Sequence, residues 1–328
     1  MSSTDSLLPW QQKDWRQLAG YIVQNRLPQA LLFTGAKGLG KYRLARQFAF
    51  ALLCNEPLAN GLNCGQCHSC LLAKAETHPD FIRVSPEEVG KAITIGKIRE
   101  VLLKLSLKPQ YENYRAVIID PADQLNNAAA NAFLKFLEEP SERTVLLLVT
   151  DKPARLPATI RSRCQKLALT LPDRADVINW LQGHGINNDL DMLLGLAQEA
   201  PLLALEYAEN GIIKLRQKCF SEWMDVAQQR LHSAEVAENW SKIPPVTIGF
   251  WLTSWIMDSV RCVYQAPVDR LYNPDLFEAL QDRAQRLELR GLYELYDLSL
   301  LNRARLETQL NKQLIFEEIL IRWSELNK

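Results

Sequence analysis

Hydrophobic positions along this chain fall into two regimes. In the first half, short apolar runs alternate with helical spacings. The runs Ala30–Thr34, Phe81–Val84, 116–119 and 145–149 have the length of strands buried on both faces. Between them, Leu44, Phe48, Leu52 and Leu53 recur at helical intervals over Lys41–Leu53, and similar patterns cover 95–105 and 126–137. Strands alternating with helices predict a parallel sheet covered on both faces. Beyond about residue 166 the strand-like runs end. Leucine-rich helices follow, punctuated by Gly183-His184-Gly185 and Pro244-Pro245. The last helix, near 310–323, places Leu310, Leu314, Ile315, Ile319 and Trp323 at packing intervals. Three domains are expected: an α/β head over 1–166, a small helical domain over 167–211 and an all-helical domain over 212–328.

Composition agrees with a globular chain of this size and removes some functions. The 328 residues are 47 % hydrophobic and 23 % charged, suited to two or three cores. Lys+Arg and Asp+Glu both number 38, so the basic excess of a protein that coats nucleic acid or anionic lipid is lacking. The longest apolar runs, at 48–54 and 145–149, are far short of a membrane span. Residues 1–5 show no basic stretch before an apolar core, so a cytoplasmic location is expected. No carboxylate set for two-metal chemistry stands out, which argues against polymerase or nuclease activity.

Four of the seven cysteines, Cys54, Cys64, Cys67 and Cys70, crowd into an irregular insertion at 54–70. In a reducing compartment such spacing reads as a metal site, and four thiolates make a closed tetrahedral zinc centre without catalytic function. The run also resembles the start of an iron–sulfur motif, but Lys74 stands where the next cysteine belongs. His68 or His78 could replace one thiolate, although four cysteines suffice. Cys164, Cys219 and Cys262 are scattered and read as core or motif residues.

Gly35-Ala36-Lys37-Gly38-Leu39-Gly40-Lys41 lies between a predicted strand and a predicted helix, the context of a phosphate-binding loop. Gly35, Gly38 and Gly40 let backbone N–H groups turn toward a phosphate, and Lys41 reaches its outer oxygens. The next position calls for a short hydroxyl to ligate magnesium, and Tyr42 stands there. After the run at 116–119, Asp120 is in place, but Pro121 occupies the position of a water-activating glutamate. Two catalytic parts are missing from one site. The favoured reading is a loop kept as a structural turn. Retained ATP binding stays open, and hydrolysis is not expected.

The segment Leu27-Pro28-Gln29-Ala30-Leu31-Leu32-Phe33-Thr34-Gly35 resembles the opening of the bacterial clamp-loader subunits of DNA polymerase III, an AAA+ family. So does Asn131-Ala132-Phe133-Leu134-Lys135-Phe136-Leu137-Glu138-Glu139-Pro140, and Thr159-Ile160-Arg161-Ser162-Arg163-Cys164 resembles that family's Ser-Arg-Cys motif. The likeness covers about 7–210 and extends weakly to Asn311-Lys312-Gln313-Leu314-Ile315-Phe316-Glu317-Glu318. The family holds ATP-hydrolysing subunits (tau and gamma) and a non-hydrolysing branch, and the losses at Tyr42 and Pro121 point to the latter. Ala200-Pro201-Leu202-Leu203 also lacks the nucleotide-sensing arginine of active members, and Thr150 resembles a first-domain sensor.

The resemblance implies a zinc module inserted in an AAA+ head, a helical lid, and a helical collar. It implies a hetero-pentameric ring with tau or gamma and a delta subunit, acting on the sliding clamp and primer–template DNA. An arginine at a surface is ordinarily paired with a carboxylate of its own chain. Within Ser162-Arg163-Cys164 the resemblance instead assigns Arg163 as a finger reaching the γ-phosphate of the next subunit. Arg161 lies off the motif and reads as surface. Two other functions remain in play: an autonomous ATPase, and a zinc-dependent nucleic-acid-binding module.

Overall fold

The computed structural model describes residues 7–328 except Val89, Glu112, Pro140, Glu307 and Gln309. Residues 1–5 and the Pro140 that closes the second motif therefore lie outside the described residues. The chain forms two compact units, Met1–Glu206 and Tyr207–Lys328.

In the first unit, five strands build one parallel sheet: β1 (Ala30–Thr34), β2 (Phe81–Val84), β3 (Arg115–Ile119), β4 (Thr144–Thr150) and β5 (Gln165–Ala168). Their spatial order is β2-β3-β4-β1-β5. Alternate residues of each inner strand feed two separate cores, as the two-residue repeat of a strand requires. Leu31, Phe33, Ile118, Leu147 and Val149 join helices α1 (Gln12–Val23) and α2 (Lys41–Leu53) on one face. Leu32, Val117, Ile119, Leu146 and Leu148 face α4 (Ile95–Ser106) and α5 (Asn127–Glu138) on the other. The short α3 (His68–Lys74) follows the cysteine-rich segment, and α6 (Ala158–Arg161) precedes β5. The expected α/β head with helices on both faces is present.

β5, at Gln165–Ala168, is not among the strand-like runs read from the sequence, which end by about 166. Gln165, Lys166 and Ala168 are exposed and only Leu167 is buried, so this edge strand has no apolar run to announce it. The unit continues through α7 (Arg174–Gly183), α8 (Leu190–Leu196) and the first turns of α9 (Pro201–Glu209).

The second unit is helical: α10 (Ile212–Ala227), α11 (Ser233–Ser241), α12 (Pro245–Val263), α13 (Phe277–Ala284), α14 (Leu289–Leu306) and α15 (Lys312–Leu326). Five fully buried tryptophans, Trp223, Trp240, Trp251, Trp255 and Trp323, fill its core. The Trp223 and Trp323 rings stack 4.3 Å apart, and Trp323 Nε1 donates to the Trp223 carbonyl at 2.9 Å, so a large apolar body is buried with its polar atom satisfied. Asp258 pins the connection after α12 by accepting from the backbone N–H groups of Tyr272 and Asn273 at 2.9 and 2.7 Å. In α15, Ile315, Ile319 and Trp323 are buried as expected, but Leu314 is 61 % exposed and Leu310, 53 % exposed, lies before the helix. The helix starts later because Asn311 caps it, accepting from the N–H groups of Gln313 and Leu314. No helix among the described residues is long and apolar enough to cross a membrane.

Candidate functional site

Because the strands are parallel, the loops after β1, β3 and β4 emerge at the same edge of the sheet, where α/β proteins bind ligands. These loops supply Gly35 to Gly40, Asp120 and Thr150-Asp151. Gly38 and Gly40 both take positive φ, 87° and 79°, and Gly40 caps α2 in that conformation. The glycines thus turn the chain tightly from β1 into α2.

What surrounds the loop is less expected. Lys41 is 4 % exposed; its Nζ donates to the Ala36 carbonyl at 2.6 Å and lies 2.5 Å from Asp151 Oδ1. The loop carbonyls are occupied too. Gln11 Nε2 donates to Leu39 O and Gly40 O at 3.1 and 2.9 Å, Trp10 Nε1 donates to Leu39 O at 3.1 Å, and the Leu202 N–H donates to Gly38 O at 3.1 Å. A Cβ on Gly38 would stand 2.8 Å from Leu203 Cβ, and one on Gly40 would stand 2.5 Å from Leu8 Cδ1. The N-terminal segment and the start of α9 therefore press on the loop from two sides, and Ala200-Pro201-Leu202-Leu203 acts here as packing.

The neighbouring groups are likewise engaged within the chain. The Tyr42 hydroxyl is buried and has no hydrogen-bond partner among the described residues, while Arg83 lies over its ring at 4.7 Å. Burial pushes the Tyr42 phenol up, more strongly than Arg83 and Arg46 pull it down. Burial also pushes Asp120 up to about 6; Asp151 and Asp123 add like charge, and Arg83 and Lys41 oppose the rise. Thr150 Oγ1 donates to Asp123 Oδ1 at 2.6 Å, so the sensor-like hydroxyl is engaged within the chain.

Arg163 stands on a different surface of the head, two residues beyond α6. Its side chain is 37 % exposed; Nη2 bonds Glu138 Oε1 at 2.5 Å and Nη1 donates to the Thr159 carbonyl at 3.0 Å. Ser162 Oγ donates to the same carbonyl at 3.1 Å. Cys164 is partly buried, and burial pushes its thiol up to about 11, a packing role with no reactive thiolate. Arg161 is exposed, as expected.

The four cysteines converge. Their sulfurs all lie within 4.8 Å of one another, with Cys54 to Cys67 at 4.0 Å and Cys64 to Cys70 at 3.9 Å. A tetrahedron of thiolates about 2.3 Å from a zinc ion has edges of about 3.8 Å, so the cluster fits a metal ion with little adjustment. Backbone N–H groups of Cys64, Cys67 and Cys70 point at Cys54, Cys64 and Cys67 sulfurs at 3.3, 3.3 and 3.5 Å, which favours thiolates. Burial works against the Cys67 thiolate, but N–H donors from Asn55 and Cys70 and the neighbouring thiols outweigh it and bring Cys67 down to about 6. Burial pushes Cys70 up to about 12. His68 is exposed and stays out of the cluster. So does His78, which is buried against Ser69 Oγ at 2.8 Å and takes the Asp80 N–H on Nδ1.

Three participants escaped the sequence reading. Asp151 follows the β4 run directly, at a strand end where sites form, and that position was a usable signal. Glu138 lies inside a motif but suggested no chemistry. Nothing local marked Gln11.

Comparison with known proteins decides the family. The model for "DNA polymerase III, delta subunit" matches residues 10–173, and that for its C-terminal domain matches 210–325. DNA polymerase III subunit delta′ of Pseudomonas aeruginosa is 32 % identical over 326 residues, 98 % of both chains. The chain belongs to the delta′ subunits of DNA polymerase III. The Escherichia coli delta′ subunit is 29 % identical over 96 % of this chain and 94 % of its own. Among solved structures, a DNA polymerase III gamma subunit-related protein of Thermotoga maritima covers 97 % of this chain and 100 % of its own, at 18 % identity and a TM-score of 0.41. As a delta′ family member, the chain combines a glycine-rich loop whose lysine is paired with Asp151, an exposed arginine and a metal-competent cysteine cluster in one head.

Proposed function

We propose that this chain is the non-hydrolysing subunit of a DNA polymerase III clamp loader, completing a neighbour's ATP site with Arg163. The observation that carries the reading is a contrast of two cations. Lys41, which a working phosphate loop would present to ATP, is buried against Asp151 and Ala36. Arg163 is held at the surface. A planar guanidinium suits charge spread over several phosphate oxygens and stays ionised at any relevant pH. An arginine supplied in trans can raise a neighbour's rate by roughly 10³ or more.

In this reading Cys54, Cys64, Cys67 and Cys70 hold a structural zinc ion, which fixes the insertion and leaves no open coordination position. The domains are a head over 1–166, a lid over 167–211 and a collar over 212–328. The collar joins a cytoplasmic hetero-pentamer with tau or gamma subunits and a delta subunit, which places the sliding clamp on primed DNA. The closed phosphate loop serves as a joint between the head and α9, and no catalytic magnesium is held there.

The test is ATP turnover by the purified chain and by the chain assembled with its ATPase partners. The chain alone should show none, and adding it should complete the partners' activity. Magnesium-dependent turnover by the chain alone, abolished in K41A, would refute the reading.

A further inference from the structure

Glu138 is the last residue of α5, and its carboxylate meets Arg163 across a gap in sequence that spans β4 and α6. Arg163 is thus tied to two elements at once: Nη2 to Glu138 on α5, and Nη1 to the Thr159 carbonyl on α6. The Ser162 hydroxyl shares that carbonyl as its own acceptor. A free arginine samples many rotamers, and ordering it at the moment of reaction would subtract from any benefit it brings. Two acceptors on different elements narrow that sampling in advance.

The pair is also built to let go. Both side chains are well exposed, 37 % for Arg163 and 51 % for Glu138. An ion pair in such a setting is worth little net, because water screens it. A phosphate group offers the guanidinium more charge and a second oxygen for bidentate contact. A single carboxylate oxygen on Nη2 is therefore a weak enough partner to be exchanged for it.

We infer that Glu138 is the positioning residue of Arg163, presenting its guanidinium at the surface and ceding it to an oxyanion of the neighbouring subunit's nucleotide. This rests on the finger reading of Arg163 given above. Glu138 itself touches no substrate. Its action is through the orientation of Arg163, so its effect vanishes when Arg163 is absent.

The experiment is a double-mutant cycle on steady-state ATP turnover by the assembled complex, using R163A, E138A, the double variant and E138Q. R163A should lower turnover strongly, and E138A should lower it roughly three- to tenfold through lost orientation. On the R163A background, E138A should cause no further loss. E138Q keeps an acceptor oxygen and should retain more activity than E138A. Wild-type turnover in E138A, the same loss with and without Arg163, or E138Q as impaired as E138A would each overturn the inference. If R163A leaves turnover unchanged, the finger reading itself fails; if R163A lowers turnover and E138A does not, only the role of Glu138 fails. Should E138A not assemble, E138Q decides: turnover near wild type supports the inference, and a loss as deep as that of R163A overturns it.

Discussion

Lys41 Nζ lies 2.5 Å from Asp151 Oδ1, so the cation a phosphate loop offers to a nucleotide is neutralised from inside the same chain. The pair joins the start of α2 to the residue after β4. Lys41 is buried while Asp151 is 40 % exposed, so the carboxylate keeps part of its hydration and the lysine keeps almost none. Removing Asp151 leaves a buried ammonium with the Ala36 carbonyl as its named partner. D151A should therefore destabilise the head, by about 1–2 kcal/mol after allowance for solvent screening. Denaturant unfolding followed by hydrogen exchange of the amides in β1, β3 and β4 checks it, and an unchanged midpoint there would contradict the role given to the pair.

Tyr42 predicts an effect of opposite sign. Its buried hydroxyl lacks a partner among the described residues, and an unpaired buried polar atom costs stability. Y42F should be neutral or more stable by up to about 1 kcal/mol. Unfolding midpoints of the two proteins give the comparison. A clear loss in Y42F would mean the hydroxyl is bonded after all.

How much of this was readable in advance follows from where the information lies. β1 was legible to the residue because a central strand buried on both faces is an unbroken apolar run, and β2, at the sheet edge, was legible from Phe81, Ile82 and Val84, which are buried on either side of the exposed Arg83. β5 was illegible because an edge strand with three exposed residues has no such run. The four-cysteine cluster was legible because its ligands are close in sequence. The closure of the phosphate loop was not. Leu8, Gln11, Asp151 and Leu202 reach it from distant parts of the chain, and only the topology brings them together. The motif named Arg163 through resemblance, but only the fold shows that Glu138 holds it.

Asp120 makes stability depend on pH. Its carboxyl is raised from an ordinary 3.8 to about 6, with burial the main cause. Between those values the folded state binds more protons than the unfolded one, so stability falls as pH rises from about 4 through about 6. The contribution is present below pH 4 and lost above pH 6. D120N removes it and should stabilise the head at pH 7–8 by roughly 1–3 kcal/mol, with little effect near pH 4. Thermal melts across this range test the claim; an equal shift at both ends would contradict it.

The cysteine cluster predicts one metal ion per chain. Elemental analysis of the purified protein should find about one zinc, and C64S or C67S should lose it. A strong chelator should lower the melting temperature of the head, because a metal ion held by four sulfurs spread over residues 54–70 binds only the folded insertion. Metal-free protein with an unchanged melt would contradict a structural zinc.

The most direct measurement is ATP turnover by the complete clamp-loader complex carrying R163A in this subunit, with assembly checked by size-exclusion chromatography. The account predicts an intact complex whose turnover falls by roughly 10-fold or more at the neighbouring site. An intact complex that hydrolyses ATP at the wild-type rate would contradict it.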